Sequence, residues 1–399
     1  MPPLLILTYV GFVSLGLPDA VIGVVWPSLR DTFGLPQAAL GAILVGGGVG
    51  YFSSGLAAGR LVERLGVGKL LTLSSALITI ALIGYAMTPA WPLLIGCAMI
   101  AGVGSGAIDA GLNAYAASNF SARHMNWLHA CWCLGAALGP LIATAALATT
   151  GSWRWGYGVI GAVMLGLTTA FALAKASFRA KAGGTGGTGG TGGTSGAEAK
   201  EQASARAAEA LRHPRVWLQI AVFFLYTGVE VTLGQWSFTL NTEARGVSPE
   251  TAGVWTGAYW GSIGVGRVLL GMAVERVGAD RLLRIATLAA LLGCVLFALG
   301  PAWPGAVGLM AAGLGLAPIY PTLMSRTPDR LGPYTAHAIG FQASAAMLGG
   351  AILPSVGGMF AARVGLESIG VLAVVVAAGL WLLHEALLRA TREPSPEAA

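Results

Sequence analysis

The sequence predicts an all-α membrane protein: twelve transmembrane helices arranged as two pseudo-symmetric six-helix bundles. Three observations carry that expectation. The 399-residue chain is 55% hydrophobic and only 10% charged, with a mean hydropathy of +0.72, whereas soluble chains are about 25% charged. Its apolar segments run to about 20 residues, the length that crosses roughly 30 Å of hydrocarbon at 1.5 Å per residue. The second half of the chain also repeats the first. The 60 glycines fit the same picture, because small residues let helices approach closely in lipid.

The expected spans are 4–26, 38–59, 70–88, 92–117, 128–149 and 155–175, then 216–240, 251–273, 282–300, 304–326, 335–360 and 366–388. The opening MPPLLILTYVGF has no basic n-region and no evident cleavage site, so it reads as span 1 rather than a leader. Between the sixes stand GGTGGTGGTGGTSG (183–196), a flexible coil by composition, and AEAKEQASARAAEALR (197–212), which reads as a polar surface helix. The tract is open to two readings, natural low complexity or an insert, and neither needs a role beyond joining the halves. The organisation is therefore an N-terminal bundle (1–175), a cytoplasmic linker with a short helix (176–215), a C-terminal bundle (216–390) and a disordered tail (391–399).

Basic residues orient the chain. With the N-terminus inside, 18 of the 23 Lys and Arg residues fall on inside segments; Arg30, Arg154, Arg245 and Arg363 fall outside, and Arg267 lies within a span. That bias places both termini in the cytoplasm, with the chain in a plasma membrane, expected to be a bacterial inner membrane. The net charge of +6 is thus a record of orientation and does not suggest a nucleic-acid partner. Cys97, Cys131, Cys133 and Cys294 all lie in apolar segments, which argues against a disulfide framework.

The repeat is explicit in two places. AGRLVERLGVGKLL (58–71) aligns with LGMAVERVGADRLL (270–283) at an offset of 212, pairing Gly59 with Gly271, Glu63 with Glu275, Arg64 with Arg276, Gly66 with Gly278 and Lys69 with Arg281. GAALGP (135–140) aligns with GGAILP (349–354) at an offset of 214. Two matches at nearly one offset indicate a parallel duplication.

The Gly-x-x-x-acid-Arg-x-Gly pattern between spans 2 and 3 resembles the signature loop of the major facilitator superfamily, with Glu63 where Asp is commoner. The family's six-plus-six plan matches the whole chain apart from the linker. The resemblance implies a cytoplasmic gate formed by Gly59, Glu63, Arg64 and Lys69 and their repeats Gly271, Glu275, Arg276 and Arg281.

Few ionisable groups remain within the spans: Asp19, Asp109, Glu230, Arg267 and His129. An intramembrane carboxylate costs roughly 2.5–3.5 kcal/mol on insertion scales, so these acids are functional candidates. Asp109 shares a helical face with Ser105 and Asn113, one turn away on either side, and Gly102 and Gly106 continue that face. Two readings stay open: an interhelical hydrogen-bond clamp, or an acid that takes up a proton during transport. Asp19 follows Pro18 in span 1 and, by the expected span limits, lies outside the midplane, while Asp109 lies toward the cytoplasm. Glu230 sits mid-span in span 7, offset by 211 from Asp19, and is a further candidate for ion or substrate. Arg267 stands about one turn from the end of span 8, where it could snorkel, and an ion pair with Glu230 looks poorly matched in depth.

Pro18-Asp19 with Asp109-x-x-x-Asn113 resembles the fucose permease branch, in which acids on helices 1 and 4 serve proton coupling and sugar binding. This chain has Asp on span 4 where that branch usually has Glu. GVEVTLGQW (228–236), YWGSIGVGR (259–267), APIYPTL (317–323) and FQASAAMLGGAILP (341–354) resemble sugar-permease-like members, some of which use sodium. The resemblance implies a secondary transporter, a proton-coupled symporter of a sugar or related small polar solute. Sodium-coupled sugar symport and proton-antiport efflux of drugs or metabolites are the alternatives. Asp19, Asp109 and Glu230 are the expected ion-coupling residues. A sugar needs aromatic faces and amides, so Asn113, His129, Trp132, Gln235, Trp236, Tyr259, Trp260, Tyr320 and Gln342 are the candidates for it. HACWC (129–133) lacks the second pair of ligands that a zinc site requires. No cofactor other than the coupling ion is expected. No Ser/His/Asp grouping suggests an enzyme, and a monomer in the bilayer is expected.

Overall fold

The computed structural model describes residues 3–120, 122–178 and 209–392. Span 1 comprises two helices, Pro3–Asp19 and Val21–Phe33; span 2 is Leu40–Leu65, span 3 Val67–Met87, span 4 Trp91–Asn119, span 5 Ala122–Thr150 and span 6 Trp153–Ala174. Span 7, Pro214–Thr239, continues into a π-helical turn, Leu240–Ala244. Span 8 is Pro249–Val277, span 9 Ala279–Leu299, span 10 Ala302–Leu316 with Ile319–Ser325, span 11 Thr335–Val364 and span 12 Ser368–Arg392. Among the described residues, eleven of the twelve are long and apolar enough to cross a membrane. Span 8 has 29 residues but carries Arg267 and a run of Gly, Ser and Thr. The Gly/Thr tract and residues 197–208 of the expected polar helix lie outside the described residues. So do residues 393–399, while 391 and 392, expected in the tail, close the last helix.

Span 1 departs from expectation in length. Apolar character fades after Trp26-Pro27, yet the helix runs to Phe33 and stops only at Gly34, whose left-handed φ of 63° lets its N–H reach the carbonyls of Arg30 and Asp31. The chain breaks between Asp19 and Val21 instead, just after Pro18, which cannot donate a helical hydrogen bond. Asp19 therefore stands at the centre of a 30-residue span, Leu4–Phe33, not outside the midplane.

The repeat is structural as well. Gly66 and Gly278 both have positive φ, 75° and 85°, which permits immediate reversal from span 2 into span 3 and from span 8 into span 9. Within the first six, span 5 lies against span 1, where Gly135 faces the Val13 carbonyl and Gly16 that of Trp132. Span 4 lies against span 2, where Gly102 faces Gly47 and Gly106 faces Tyr51. The second six repeat the plan: Gly349 of span 11 faces Phe224 of span 7, and Gly313 of span 10 faces Ser262 of span 8. In each case an added Cβ would collide with the neighbouring helix.

The halves meet through spans 2 and 11, 5 and 8, and 1 and 7. An even number of crossings puts Pro3 and Arg392 on one side, the near side. Contact between halves is concentrated on the other, far side. There Gly41 meets Ser355 and Gly358 meets the Gln37 carbonyl, while Gly48 meets Ala351 nearer mid-depth. Further along the same two helices, Gly55, Gly59 and Gly340 face open space. Spans 2 and 11 thus diverge toward the near side, and the molecule is closed far and open near.

Candidate functional site

Between the halves lies a cavity of about 420 Å³. Asp19, Asp109, Glu230, His129, Trp132, Gln235, Trp260 and Tyr320 line it, joined by Tyr51, Tyr226 and Arg267. Three intramembrane acids that are distant in sequence thus share one chamber.

Their partners differ. Asp109 accepts two hydrogen bonds, one on each oxygen: the Tyr51 hydroxyl donates to Oδ2 at 2.6 Å and Asn113 Nδ2 donates to Oδ1 at 2.9 Å. The second donor comes from one turn along the same helix, and the first is brought close by the glycine face of span 4. Among the described residues, the Asp19 carboxylate accepts only from the indole N–H of Trp132, on Oδ2 at 3.2 Å, and its side chain is exposed to the cavity. Its main-chain carbonyl, beside the break in span 1, accepts from Gln235 Nε2 of the other half at 2.9 Å. Close passage at this point requires Gly23, where a Cβ would meet the Gln235 backbone.

Glu230 is paired. Arg267 Nη2 lies 3.4 Å from its Oε1, and the two side chains are 15% and 6% exposed. The snorkelling expected of Arg267 does not occur, because span 8 is longer than its apolar stretch and turns the long side chain into the cavity. Isolated, either charge would be costly at this depth; pairing offsets part of that cost. The Tyr226 hydroxyl, buried and without a hydrogen-bond partner among the described residues, lines the same cavity. The Tyr259 hydroxyl donates to the Glu230 main-chain carbonyl at 2.8 Å.

Aromatic rings connect the halves. Trp132 meets Trp260 edge-on, centroids 5.7 Å apart at 84°, and the Arg267 guanidinium stands 5.8 Å from the Trp132 centroid. His129 packs edge-on to Phe12 at 5.5 Å.

Four expected substrate residues lie elsewhere. Asn113 bonds to Asp109 and Tyr259 supports span 7. Trp236 is buried and donates to the Pro354 carbonyl at 2.8 Å, within the far-side seal. Gln342 bonds to Gln219 and Thr327, tying span 11 to its neighbours. The expected gate residues Gly59, Glu63, Arg64, Lys69, Gly271, Arg276 and Arg281 are exposed on the near side; the side chain of Glu275 lies outside the described residues. Tyr51 and Tyr226 were not anticipated. Their signal was position, since a tyrosine far from either end of its span is not an interface-belt residue. Among the described residues, no group of three or more His, Cys, Asp and Glu gathers in a way that could hold a metal.

On the far side the acceptor Glu243, carried by the π turn, joins the halves. Arg30 lies 3.1 Å from it and Gln37 Nε2 donates to it at 2.9 Å, while Trp26 donates to Gln37 Oε1 at 2.9 Å.

The model of one family, described as Major Facilitator Superfamily, matches residues 8–247 and 237–399. The human protein named sodium-dependent glucose transporter 1 is 26% identical over 299 residues, 65% of this chain and 54% of its own. A Saccharomyces cerevisiae protein, bypass of stop codon protein 6, is 23% identical over 279 residues, 66% of this chain and 56% of its own. The chain thus spans just over half the length of these two relatives. Among solved structures, the nucleoside transporter NupG aligns with a TM-score of 0.72 at 13% identity, covering 98% of this chain and 100% of that one. A variant of the E. coli fucose:proton symporter FucP aligns at 0.66 and 15% identity, covering 96% of this chain and 97% of that one.

Proposed function

Because this chain belongs to the Major Facilitator Superfamily, we propose that it is a secondary active transporter that carries a sugar or related small polar solute by alternating access in symport with a proton. The observation that carries the proposal is the shared cavity, in which Asp19 faces the chamber with one weak donor while Asp109 is held by two. The relatives' names, a glucose transporter and a fucose:proton symporter, support the sugar.

In this reading both termini are cytoplasmic, the protein acts as a monomer in a plasma membrane, and the near-side-open form is the one that releases substrate inward. Asp19 is the coupling acid: it takes the proton when the cavity faces outward and loses it when the cavity faces in. Asp109, fixed by Tyr51 and Asn113, presents acceptor oxygens to a sugar hydroxyl. Trp260 and Tyr320 offer ring faces to the sugar's C–H surface. Glu230 and Arg267, mutually neutralised, supply further hydrogen-bond partners without adding net charge. Reorientation carries a cavity of lower charge when Asp19 is protonated, which reduces the desolvation cost of closing around it.

Sodium is the second reading, favoured by the name of the human relative and by the hard oxygen of Asp19. Proteoliposomes loaded at fixed pH and given D-glucose or L-fucose, with and without sodium, separate the two. Substrate-driven alkalinisation of the medium without sodium supports the proton, and uptake only with sodium supports the other ion. Asp19→Asn is expected to abolish ion-driven accumulation while counterflow continues. Full accumulation in that variant would refute the role given to Asp19.

A further inference from the structure

Trp132 is held by one half of the molecule and reaches into the other. Its backbone belongs firmly to the first half: Gly16 of span 1 sits against its carbonyl, and Gly135, three residues on, sits against the Val13 carbonyl. Spans 1 and 5 therefore move together, and the 3.2 Å bond from the Trp132 indole to Asp19 lies within one rigid unit. The ring nevertheless leaves that unit. Its edge-on partner Trp260 and the guanidinium over its face, Arg267, both belong to span 8 in the second half. Arg267 in turn is the partner of Glu230. One side chain thus touches the acid of the first half with its N–H and the ion pair of the second half with its π face.

We infer that Trp132 is a positioning residue that couples the state of Asp19 to the Glu230–Arg267 pair, so that ion binding in one half alters charge pairing in the other. The inference rests on Asp19 being the coupling acid. An ionised carboxylate accepts an N–H in a charge-assisted bond, about twice as strong as a neutral one. The indole is then pinned, and its face is held where Arg267 can share its charge between the ring and Glu230. When Asp19 binds a proton or a sodium ion, its pull on the N–H weakens and the ring can turn. Arg267 then loses its aromatic support and pairs more closely with Glu230. Span 8 carries both Trp260 and Arg267, so this repairing acts on the helix that must move when the halves rock.

The test separates the N–H from the ring. Trp132→Phe keeps an aromatic face for Trp260 and Arg267 and removes the donor to Asp19. In proteoliposomes, protons and sodium ions moved per D-glucose or L-fucose are measured for the wild type, Trp132→Phe, Asp19→Asn and the double variant, with melting temperatures to show that each chain is folded. The expected result is a roughly tenfold fall in ions per sugar for Trp132→Phe, as loss of one charge-assisted bond implies, with sugar counterflow still measurable. Counterflow of the double variant should match that of Asp19→Asn alone, because both changes cut the same link. A Trp132→Phe ratio within about twofold of wild type, or counterflow in the double variant well below that of Asp19→Asn alone, overturns the coupling role while leaving the transport reading intact. A wild type that moves no ion with either sugar overturns that reading and the coupling role together.

Discussion

The two ends of the molecule are built from similar residues and use them differently. On the far side, one ion pair crosses between halves, Arg30 of span 1 with Glu243 after span 7, and Gln37 bonds to the same carboxylate, while Arg245 pairs with Glu367 within the second half. On the near side, the corresponding charges stay at home. Asp280 pairs with Arg326 and Arg330, and Arg284 with Glu385, all within the second half. Glycines follow the same division, in contact across the halves at Gly41, Gly253 and Gly358 but open at Gly55, Gly59 and Gly271. The difference separates two jobs for one kind of interaction. An ion pair inside a half stabilises that half in every conformation, whereas one across the halves favours a single conformation and must break in each cycle.

The largest effect is expected at Gly253, where span 8 passes span 5 so closely that a Cβ would collide with the Thr144 side chain. Gly253→Leu should wedge the far side apart and lower sugar uptake more than roughly tenfold, since overpacking a tight contact costs about 1–3 kcal/mol. Uptake near the wild-type rate would show that the far-side contact is dispensable. Asp280→Asn addresses the opposite end. It leaves Arg330, only 3% exposed, without its closest partner, but Asp280 itself is 41% exposed, so solvent screening reduces the loss to about 1–2 kcal/mol of stability. The melting temperature should fall, while labelling of a far-side cysteine stays at the wild-type rate. A rise in that labelling would mean that the near-side pairs also set conformation.

Glu243→Gln comes next. The pair with Arg30 is partly exposed, 19% and 27% for the two side chains, and is worth about 1 kcal/mol, or roughly a fivefold shift in population. In a chain freed of its four native cysteines, Ser355→Cys reports on the far side because it faces Gly41. Its labelling by a membrane-impermeant maleimide should rise about fivefold when Glu243→Gln is added, the same factor as the population shift. Unchanged labelling would remove Glu243 from the seal.

Much of this arrangement could be read from the residues, and the part that could not has a common cause. Span count follows from apolar length, and the duplicated reversal follows from Gly66 and Gly278, whose positive φ values answer a local demand of the chain. Local signals of this kind survive into the fold unchanged. Asp19 lies deeper than the apolar pattern implies because the helix outlasts its apolar stretch and ends at a glycine cap beyond Arg30. The Glu230–Arg267 pair forms against the expectation from depth, because position along a helix says little about how far a long side chain reaches. Trp236 and Gln342 had the chemistry of sugar ligands, yet residue type does not reveal which face of a helix looks into a cavity. Trp236 seals the far side and Gln342 bonds to Gln219 and Thr327.

Gly59 offers the finest test of the contrast between the ends. An added Cβ there meets nothing within 4 Å, so the near-open form gives no packing reason for glycine in the middle of a helix. Glycine is in fact unfavourable there by about 1 kcal/mol relative to alanine. If the near side never closed, Gly59→Ala would raise stability slightly and leave transport untouched. If it closes as the far side is closed here, with glycines admitting the opposing helix, the methyl group obstructs only the other half of the cycle. The expected outcome is a melting temperature equal to or slightly above wild type, together with sugar uptake slowed about twofold, since a small steric penalty in one state shifts a two-state balance by a correspondingly small factor. Equal uptake in both proteins would show that the near side closes without Gly59, through another part of spans 2 and 11.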